Sequence, residues 1–353
     1  MSKIRFSGPF RHRLSSFLAI NKIALRTYAR HLFGRRMEPS WGTDIEIGIR
    51  FWRQQFTRAM ACDDMDDGRK LFDSLQMESD DHYAVTVHDQ AEPKGRWHRP
   101  VETSGDGVLL YLHGGGYTFH GAMSHRYASM LAHHNSMALF APDYRLTPEH
   151  PHPAQAEDAL AAWNYVTAHT PADRVVIIGD SAGGHMALTL LQTLKAKGLP
   201  QPALCVGLCP WTDIGARGTS LHENDAYDLV QGWMALRFGE WLDPGNRYGR
   251  EALSPISHNY AGLAPLYLQA GGREILRDMI LDFAEVQRAN GADVMLDLWP
   301  DMPHEFQAYD SFKASSRAAL TRIRLAVRSH LDGGGTLPPA DGVTVTSGGK
   351  FEA

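Results

Sequence analysis

Residues 175–184 read Val-Val-Ile-Ile-Gly-Asp-Ser-Ala-Gly-Gly, and this stretch decides the fold class. Its four β-branched residues predict a buried strand, and a helical pattern begins directly after the serine. Gly179 and Gly183 allow a strand and a helix to approach closely across a sharp turn. A Gly-x-Ser-x-Gly turn in this context exposes the serine hydroxyl, so Ser181 is the candidate nucleophile. Small residues also pack ordinary strand–helix turns, but the strand and helix on either side favour the functional interpretation.

The chain on both sides of this turn alternates strand-like and helix-like runs from about residue 82. Such alternation predicts an α/β fold with a mostly parallel central sheet flanked by helices. The predicted strands are 82–87, 108–112, 138–142, 175–178, 204–208, 266–269 and 294–299. The predicted helices between them are 122–134, 154–168, 182–197 and 279–290.

Three regions do not follow the alternation and suggest a domain organisation. Residues 1–78 are largely helical in pattern, and we expect them to form an N-terminal helical lid segment. The catalytic domain then covers 79–331, with an aromatic-rich lid insertion at about 214–252. The tail at 332–353 is rich in Gly, Pro, Ser and Thr, which predicts disorder.

Composition and charge exclude several classes of protein. The 353 residues include 43% hydrophobic and 21% charged residues, as in ordinary globular proteins. The formal charge of −5 does not indicate nucleic-acid binding, and no apolar run approaches the ~20 residues needed to cross a bilayer. Three cysteines do not make a disulfide framework, and Cys205 and Cys209 are expected to be buried thiols rather than metal ligands. This usage fits a reducing compartment, so a cytoplasmic location is expected.

The N-terminal segment differs from the rest of the chain in charge. Residues 1–37 contain nine Lys or Arg and no acidic residue. They do not match a secretory signal peptide, because polar residues interrupt the apolar stretch and no small-residue cleavage site follows. An amphipathic helix here has two interpretations, a packed lid helix with a solvated basic face or a weak contact with an anionic membrane surface. Its apolar positions are Leu14, Leu18, Leu25, Tyr28 and Leu32, and its basic positions are Lys22, Arg26 and Arg30.

A second glycine-rich loop, His113-Gly114-Gly115-Gly116, directly follows the predicted strand 108–112. Glycines expose backbone N–H groups, and a nucleophile turn needs such a partner to complete an oxyanion hole. The expected donors are the N–H groups of Gly114, Gly115 and Ala182, with His113 and Gly116 completing the loop motif. A phosphate-binding loop is a weaker interpretation, because no Gly-Lys-Ser/Thr follows. Without the serine motif, a tight turn would be the better interpretation.

The general base should be a histidine that follows Ser181, because this fold class orders its triad as Ser, acid, His. His304 lies on a short loop after the last predicted strand, at a strand end where open α/β sheets place their ligands. We therefore predict His304 as the base, with His258 as the second candidate. The histidines that follow Ser181 in the chain are His185, His222, His258, His304 and His330.

The triad acid should follow the penultimate strand. Two acidic residues stand there, Glu274 and Asp278, one helical turn apart. Glu274 is closer to the strand end, whereas Asp278 belongs to the following helix, where a capping or solvated role is common. Glu274 is therefore the predicted acid, and Asp278 is the alternative.

At these residues the chain resembles the hormone-sensitive-lipase-like branch of the α/β hydrolases, which includes many bacterial esterases. The resemblance implies the α/β-hydrolase fold with a helical lid from the N-terminal region and the 214–252 insertion. Many members have Asp at the acid position, where this chain has Glu274. The resemblance also implies that Asp143, Arg145 and Glu149 form a buried polar network under the oxyanion loop. The matching segments are 113–116, 143–154, 179–184, 210–213, 254–256 and 302–304.

These residues together predict a carboxylic ester hydrolase that acts through an acyl-enzyme intermediate. Short-to-medium acyl esters or bulky apolar esters are the expected substrates, and neither a metal nor an organic cofactor is needed. The alternatives are a lactonase, an arylformamidase or a deacetylase of sterol-like alcohols on the same machinery. A non-catalytic small-molecule receptor is disfavoured because the three triad residue types are present. The oligomeric state is open, with a homodimer among the options.

Overall fold

The computed structural model of the protein describes residues 4–77, 83–311, 313–333, 337 and 342–348. Eleven strands lie in this part of the chain: β1 (Ile4–Phe6), β2 (Leu75–Met77), β3 (Val85–Gln90), β4 (Gly95–Pro100), β5 (Val108–Leu112), β6 (Ala138–Pro142), β7 (Val175–Asp180), β8 (Leu204–Leu208), β9 (Leu266–Gly271), β10 (Val294–Trp299) and β11 (Thr344–Gly348). The α-helices of the same described residues are α1 (Phe10–Leu32), α2 (Thr43–Met60), α3 (Met65–Phe72), α4 (Ala122–Asn135), α5 (Ala154–Thr167), α6 (Ala182–Ala196), α7 (Ser220–Glu223), α8 (Gly232–Leu242), α9 (Arg250–Leu253), α10 (Arg277–Ala289) and α11 (Ala314–Leu331).

Nine of these strands form one sheet in the order β11-β10-β9-β8-β7-β5-β6-β4-β3. The neighbours from β6 to β10 are parallel, and the outer pairs are antiparallel. Strand β7 lies near the middle and is buried along its whole length, as expected for a parallel strand covered on both faces. The predicted α/β fold with a mostly parallel sheet and flanking helices is confirmed.

The sheet edges differ from the predictions. Strand β4 was not predicted, because Gly95–Pro100 has neither clear alternation nor an apolar run. Strand β11 lies within the tail at 332–353, so the prediction of disorder is wrong for Thr344–Gly348. Its Thr-Val-Thr sequence favours a strand, and it pairs antiparallel with the otherwise open edge of β10. The first position of the predicted strand 82–87 lies outside the described residues.

The N-terminal segment supplies helices α1, α2 and α3, which pack on one another beside the sheet. Helix α1 packs through a small polar face of His12, Ser16, Ala19 and Thr27. Ile20 and Ile23 are half-buried against Phe51 and Leu75, so α1 does pack on the protein. The apolar positions named from the sequence are instead exposed, and these are Leu14, Leu18, Leu25, Tyr28 and Leu32. Among the described residues, no helix is both long and apolar enough to cross a membrane.

The insertion at 214–252 contains α7 and α8 and the start of α9. Asp213 joins the two ends of this insertion, because its buried carboxylate accepts hydrogen bonds from Arg250 at 2.7 Å and from Arg217 at 2.8 Å. Ser254 Oγ donates to the same carboxylate at 3.2 Å. The insertion is therefore fixed at its base by charge-assisted hydrogen bonds.

Candidate active site

Ser181 lies in the turn between β7 and α6. Its backbone has φ 52° and ψ −118°, a left-handed conformation that is strained for a residue with a side chain. The glycines around it permit this turn, because a Cβ on Gly179 would lie 2.1 Å from the carbonyl oxygen of Gly183. A Cβ on Gly183 would lie 1.9 Å from the carbonyl oxygen of Leu112. Close backbone packing thus holds the serine at the carboxyl end of the central strand.

His304 and Glu274 lie next to each other at the ends of β10 and β9. Nδ1 of His304 lies 2.6 Å from Oε2 of Glu274, and both side chains are buried. The other oxygen of Glu274 accepts the N–H of Gly271 at 2.6 Å, which fixes the carboxylate. Burial alone lowers the pKa of His304, but hydrogen bonds with Cys209 and Glu274 and the charge of Glu274 outweigh it. The pKa of His304 is therefore well above its usual value.

The alternative acid and base candidates lie elsewhere. Asp278 is on the first turn of α10, where its carboxylate pairs with Arg277 at 2.8 Å and accepts the N–H of Ser220 at 2.9 Å. His258 bonds the carbonyl oxygen of Ala252 with a ring nitrogen at 3.0 Å. The geometry therefore brings Glu274, rather than Asp278, to His304.

The oxyanion donors predicted from the sequence are not all free. The N–H of Gly114 donates to Oδ1 of Asp180 at 3.0 Å, so the prediction of Gly114 as an oxyanion donor is wrong. Gly115, Gly116 and Ala182 line the same small cavity as Ser181, and within the described residues their N–H groups have no acceptor. Gly115 and Gly116 have φ 96° and 62°, which turns the loop toward this cavity.

The oxyanion loop is held by its first residue. His113 is buried, and its backbone oxygen accepts the hydroxyl of Tyr144 at 2.6 Å. The rings of His113 and Tyr144 stack with centroids 4.0 Å apart. Nδ1 of His113 lies 2.7 Å from the carbonyl oxygen of Gly114 and thus fixes the turn of the glycine run.

The network predicted from Asp143, Arg145 and Glu149 takes a different form. Arg145 pairs with Asp158 at the surface, and Glu149 is also partly exposed, so the network is not buried. Arg69 of α3 supplies the link to the loop, because it donates to the carbonyl oxygens of Thr118 and Thr147 at 2.8 Å and to Glu149. The sequence carries no signal for this role, since Arg69 lies 49 residues before Thr118.

Two further carboxyl groups lie beside the site and were not predicted. Asp180 is buried and accepts the hydroxyl of Tyr111 at 2.6 Å. Burial and the negative charge of the adjoining Glu305 raise the pKa of Asp180 well above its usual value. Oε1 of Glu305 lies 3.8 Å from Nε2 of His304. Glu305 thus stands between the Asp180 carboxyl and the histidine ring.

Two cavities meet at this place. The smaller one, of about 20 Å³, is lined by Ser181 and His304 and closed by Val230, Ala235 and Phe238 of the insertion. The larger one, of about 220 Å³, extends between the N-terminal helices and the sheet, and its wall is rich in aromatic side chains. Gly115, Glu305 and Phe56 line both cavities. The aromatic wall of the larger cavity includes Phe51, Trp52, Phe56, Phe72, Phe119 and Tyr127.

Two buried cysteines and two possible metal-ligand groups lie in the described part of the chain. Cys205 and Cys209 are buried and unbridged, which confirms their prediction as buried thiols. Burial and the charge of Glu274 raise the pKa of Cys209 to about 12, so its thiol stays protonated. Within the described ranges, two groups have ligand atoms close enough to hold a metal ion. These are Cys209, Glu274 and His304, and separately His120, His125 and Asp143.

Comparisons with known proteins agree with this geometry. A family model described as the alpha/beta hydrolase fold matches residues 109–308. An acetyl-hydrolase of Streptomyces hygroscopicus is 34% identical over 64% of this chain and 76% of its own length. The carboxylic ester hydrolase LipN of Mycobacterium tuberculosis is 30% identical over 68% of each chain.

Solved structures give the same assignment. An esterase of the bacterial hormone-sensitive lipase family is 31% identical, with a TM-score of 0.72, over 80% of this chain and 98% of that chain. An esterase/lipase from an uncultured bacterium is 26% identical, with a TM-score of 0.74, over 83% of this chain and all of the other. The resemblance to the hormone-sensitive lipase branch is therefore confirmed.

Proposed function

The chain belongs to the α/β-hydrolase fold family, and we propose that it hydrolyses carboxylic esters with Ser181, His304 and Glu274 as its catalytic triad. One observation carries this proposal: Ser181 shares a small cavity with a histidine whose far nitrogen is 2.6 Å from a buried carboxylate. That arrangement presents one ring nitrogen to the serine and anchors the other, as nucleophilic acyl transfer requires. The esterases among its relatives support the same reaction.

In the first step, Nε2 of His304 takes the hydroxyl proton as Oγ of Ser181 attacks the ester carbonyl carbon. Glu274 holds the Nδ1–H and stabilises the imidazolium that forms. The carbonyl oxygen becomes an oxyanion, which accepts hydrogen bonds from the N–H groups of Gly115, Gly116 and Ala182. One such donor accounts for roughly 10²–10³ in turnover.

In the second step, the imidazolium of His304 donates its proton to the leaving alkoxide, and the C–O bond of the ester breaks. His304 then takes a proton from water, which attacks the acyl-enzyme and releases the carboxylic acid. The hydroxyl of Ser181 is restored by the proton that His304 returns. The nucleophile, the proton carrier and the hydrogen-bond donors of these steps are all groups of this chain.

The larger cavity supports a substrate with an apolar part. Aromatic side chains form much of its wall, and it joins the serine cavity at Gly115 and Glu305. We propose that it takes a short-to-medium apolar chain of the ester. Residues 4–77 and the 214–252 insertion would then act as a lid, because both contribute walls between the reacting groups and solvent.

Substitution of the nucleophile tests the proposal. Ser181→Ala should abolish hydrolysis of a p-nitrophenyl ester while the circular dichroism spectrum stays unchanged. An organophosphonate should label Ser181 in the parent protein, as read by peptide mass spectrometry, and Ser257→Ala, at an exposed serine, should keep both labelling and turnover. Substantial turnover in Ser181→Ala would remove Ser181 from the mechanism.

A substrate panel tests the acyl bond. Esters of graded chain length, lactones and aryl amides should be compared at equal concentration by kcat/KM. The proposal expects esters with an apolar chain to lead. A lactone or aryl formamide that exceeds every ester would assign the same machinery to that bond instead.

A further inference from the structure

The outer face of α1 carries a stripe of large, exposed apolar side chains, of which Phe17 contacts the ring of Phe6. Its members recur at spacings of three, four and seven residues, which places them on one side of the helix. Their exposed fractions range from 44% to 86%, whereas exposed leucines and phenylalanines in a folded protein are usually scattered singly. The stripe consists of Phe10, Leu14, Phe17, Leu18, Leu25, Tyr28 and Leu32, and Phe33 continues it.

The same helix has a separate face toward the protein, so the stripe is not needed for packing. His12, Ser16, Ala19 and Thr27 are buried there. Ser16 takes part in a hydrogen-bonded pair with Ser74 at 2.7 Å. The packing of α1 on the protein rests on these buried residues and on the half-buried Ile20 and Ile23, so it does not require the exposed apolar side chains of the stripe.

A cationic groove lies between α1 and α2, on the side of α1 that carries Thr27 rather than on the stripe itself. Arg30 and Arg50 share the buried carboxylate of Glu46, at 3.9 Å and 2.8 Å. Arg53 and Arg58 donate to uncharged oxygens, the carbonyl of Asp228 and the hydroxyl of Ser15. The charges of Asp228 and Asp225 act on Arg53, whereas Arg26 and Arg58 form no ion pair with a carboxylate among the described residues. The groove is lined by the arginines Arg26, Arg30, Arg50, Arg53 and Arg58.

We propose that the outer face of α1 binds the surface of an anionic lipid bilayer. The apolar stripe would lie in the boundary between headgroups and acyl chains. Lys22 and Arg26, at the edge of the stripe, would reach the lipid phosphates. Charge decides between this occupant and a second copy of the chain, because residues 1–37 carry nine basic and no acidic residues. Two such faces would repel each other, whereas an anionic bilayer complements them.

Binding at this face would also place the lipid beside the substrate cavity. Ile20, on the inner side of α1, lines the larger cavity together with Ile4. The helix that contacts the bilayer is therefore a wall of the space proposed for the apolar part of the ester. This inference goes beyond the ester hydrolysis proposed above, and vesicle binding is measured without any substrate.

Co-sedimentation of the full chain with vesicles tests the inference. The probes are vesicles of phosphatidylcholine alone and of phosphatidylcholine with phosphatidylglycerol, at low and at high salt. The protein should bind the mixed vesicles, should bind the neutral ones at least tenfold more weakly, and should dissociate as salt rises.

Paired variants separate the two components of binding. Leu18→Gln with Leu25→Gln should weaken binding about tenfold or more per residue, since each removes an apolar side chain from the lipid contact. The matched control is Val87→Gln with Val101→Gln, which removes exposed apolar side chains elsewhere and should bind like the parent.

A second pair of substitutions, with its own control, tests how much the basic residues contribute to vesicle binding. Lys22→Gln with Arg26→Gln should weaken binding to anionic vesicles about 30-fold, from about fivefold per basic residue. Lys195→Gln with Lys197→Gln, on the exposed end of α6, should change it little. All these positions are exposed, so the variants are expected to keep the parent melting temperature.

Three results would overturn the inference. One is absence of binding to the anionic vesicles, and another is binding that both α1 pairs leave unchanged. The third is a concentration-dependent dimer in sedimentation equilibrium that the Leu18 and Leu25 substitutions dissociate, which would assign the stripe to contact between copies of the chain. Loss of esterase activity alone would not bear on it.

Discussion

Oε1 of Glu305 lies 3.8 Å from Nε2 of His304, the ring nitrogen opposite the one that Glu274 binds. The imidazole is thus placed between two carboxyl groups, and a third, that of Asp180, adjoins Glu305 and has a raised pKa. A negative charge near either nitrogen favours the imidazolium over the neutral ring. Hydrogen bonds with Cys209 and Glu274 and the charges of Glu274 and Asp228 raise the pKa of His304. Glu305 lies close enough to Nε2 to add a further negative charge there.

Glu305→Gln should lower the pKa of His304, because the substitution removes a negative charge beside Nε2. The ascending limb of kcat/KM against pH reports the free enzyme's base, so it should move to lower pH by about one unit. Glu285→Gln, at an exposed position of α10, is the control and should leave the profile in place. An unchanged profile in Glu305→Gln would show that this carboxylate does not act on the histidine.

Glu274→Gln should cost far more activity than Asp278→Asn. The amide cannot hold the imidazolium, so we expect a loss of roughly 10³–10⁴ in kcat for Glu274→Gln, by analogy with the serine protease triad. Asp278→Asn should stay within a few-fold, because its carboxylate pairs with Arg277 on α10. Steady-state kinetics of both variants decide the matter, and the reverse ranking would make Asp278 the acid.

The same substitution has a predictable effect on pH dependence. In the parent protein the pKa of His304 is raised, so the neutral base appears only as pH rises through that raised value. In Glu274→Gln the raising charge is absent, and the residual activity should reach its plateau at lower pH. A plateau that moves to higher pH would contradict the stated cause of the shift.

Ile47→Trp should shorten the apolar chain that the protein accepts. Ile47 lines the larger cavity from α2, and an indole there fills space that an extended substrate needs. We expect KM for a p-nitrophenyl hexanoate to rise about tenfold or more while that for the acetate changes little. Gln54→Trp, at an exposed position of the same helix, is the matched control. Equal effects on both esters would place the chain elsewhere.

Asp213→Ala should destabilise the protein by about 1–3 kcal/mol at neutral pH, because it removes charge-assisted hydrogen bonds from the base of the insertion. Both arginine partners are partly exposed, so solvent screening keeps the value at this modest level. Urea denaturation of the variant and the parent measures the difference. Asp282→Ala removes a more exposed partner of Arg217 and should cost little.

The stability difference for Asp213 should also depend on pH. Burial would raise the pKa of its carboxyl, but hydrogen bonds from Arg250 and Arg217 outweigh burial and lower it. A lowered pKa contributes stability above the unfolded value of about 3.9, and that contribution is lost as pH falls. The difference in stability between the two proteins should therefore begin to shrink as pH falls below about 4, and it should continue to shrink toward the lowered pKa of the folded state. A constant difference down to pH 3 would contradict the electrostatic account.

Local sequence was sufficient to predict the parts of the site that lie within one short segment. The run of β-branched residues, the glycines at 179 and 183 and the helix that follows force a strained turn at Ser181, whatever surrounds it. Strand β10 and the loop to His304 were predicted in the same way. The strand order that brings Glu274 beside His304 follows from parallel pairing of β9 with β10.

Other features depend on residues far apart in the chain. The sequence predicts a free N–H donor at Gly114, but in the structure this N–H donates to Asp180, which lies 66 residues later. Arg69 reaches the oxyanion loop from α3, and Glu305 meets the Asp180 carboxyl only once β7 and β10 lie in one sheet. The amphipathic pattern of α1 was visible in the sequence, but which face would be buried was not.

The sequence by itself therefore determined the fold class, the nucleophile turn and the identities of the base and acid candidates, because each depends on local backbone geometry and strand periodicity. The tertiary structure decided which hydrogen-bond donors are left free, which carboxyl groups perturb His304 and which side of α1 faces solvent. Those outcomes depend on burial and on distances between segments, and no local pattern encodes either quantity.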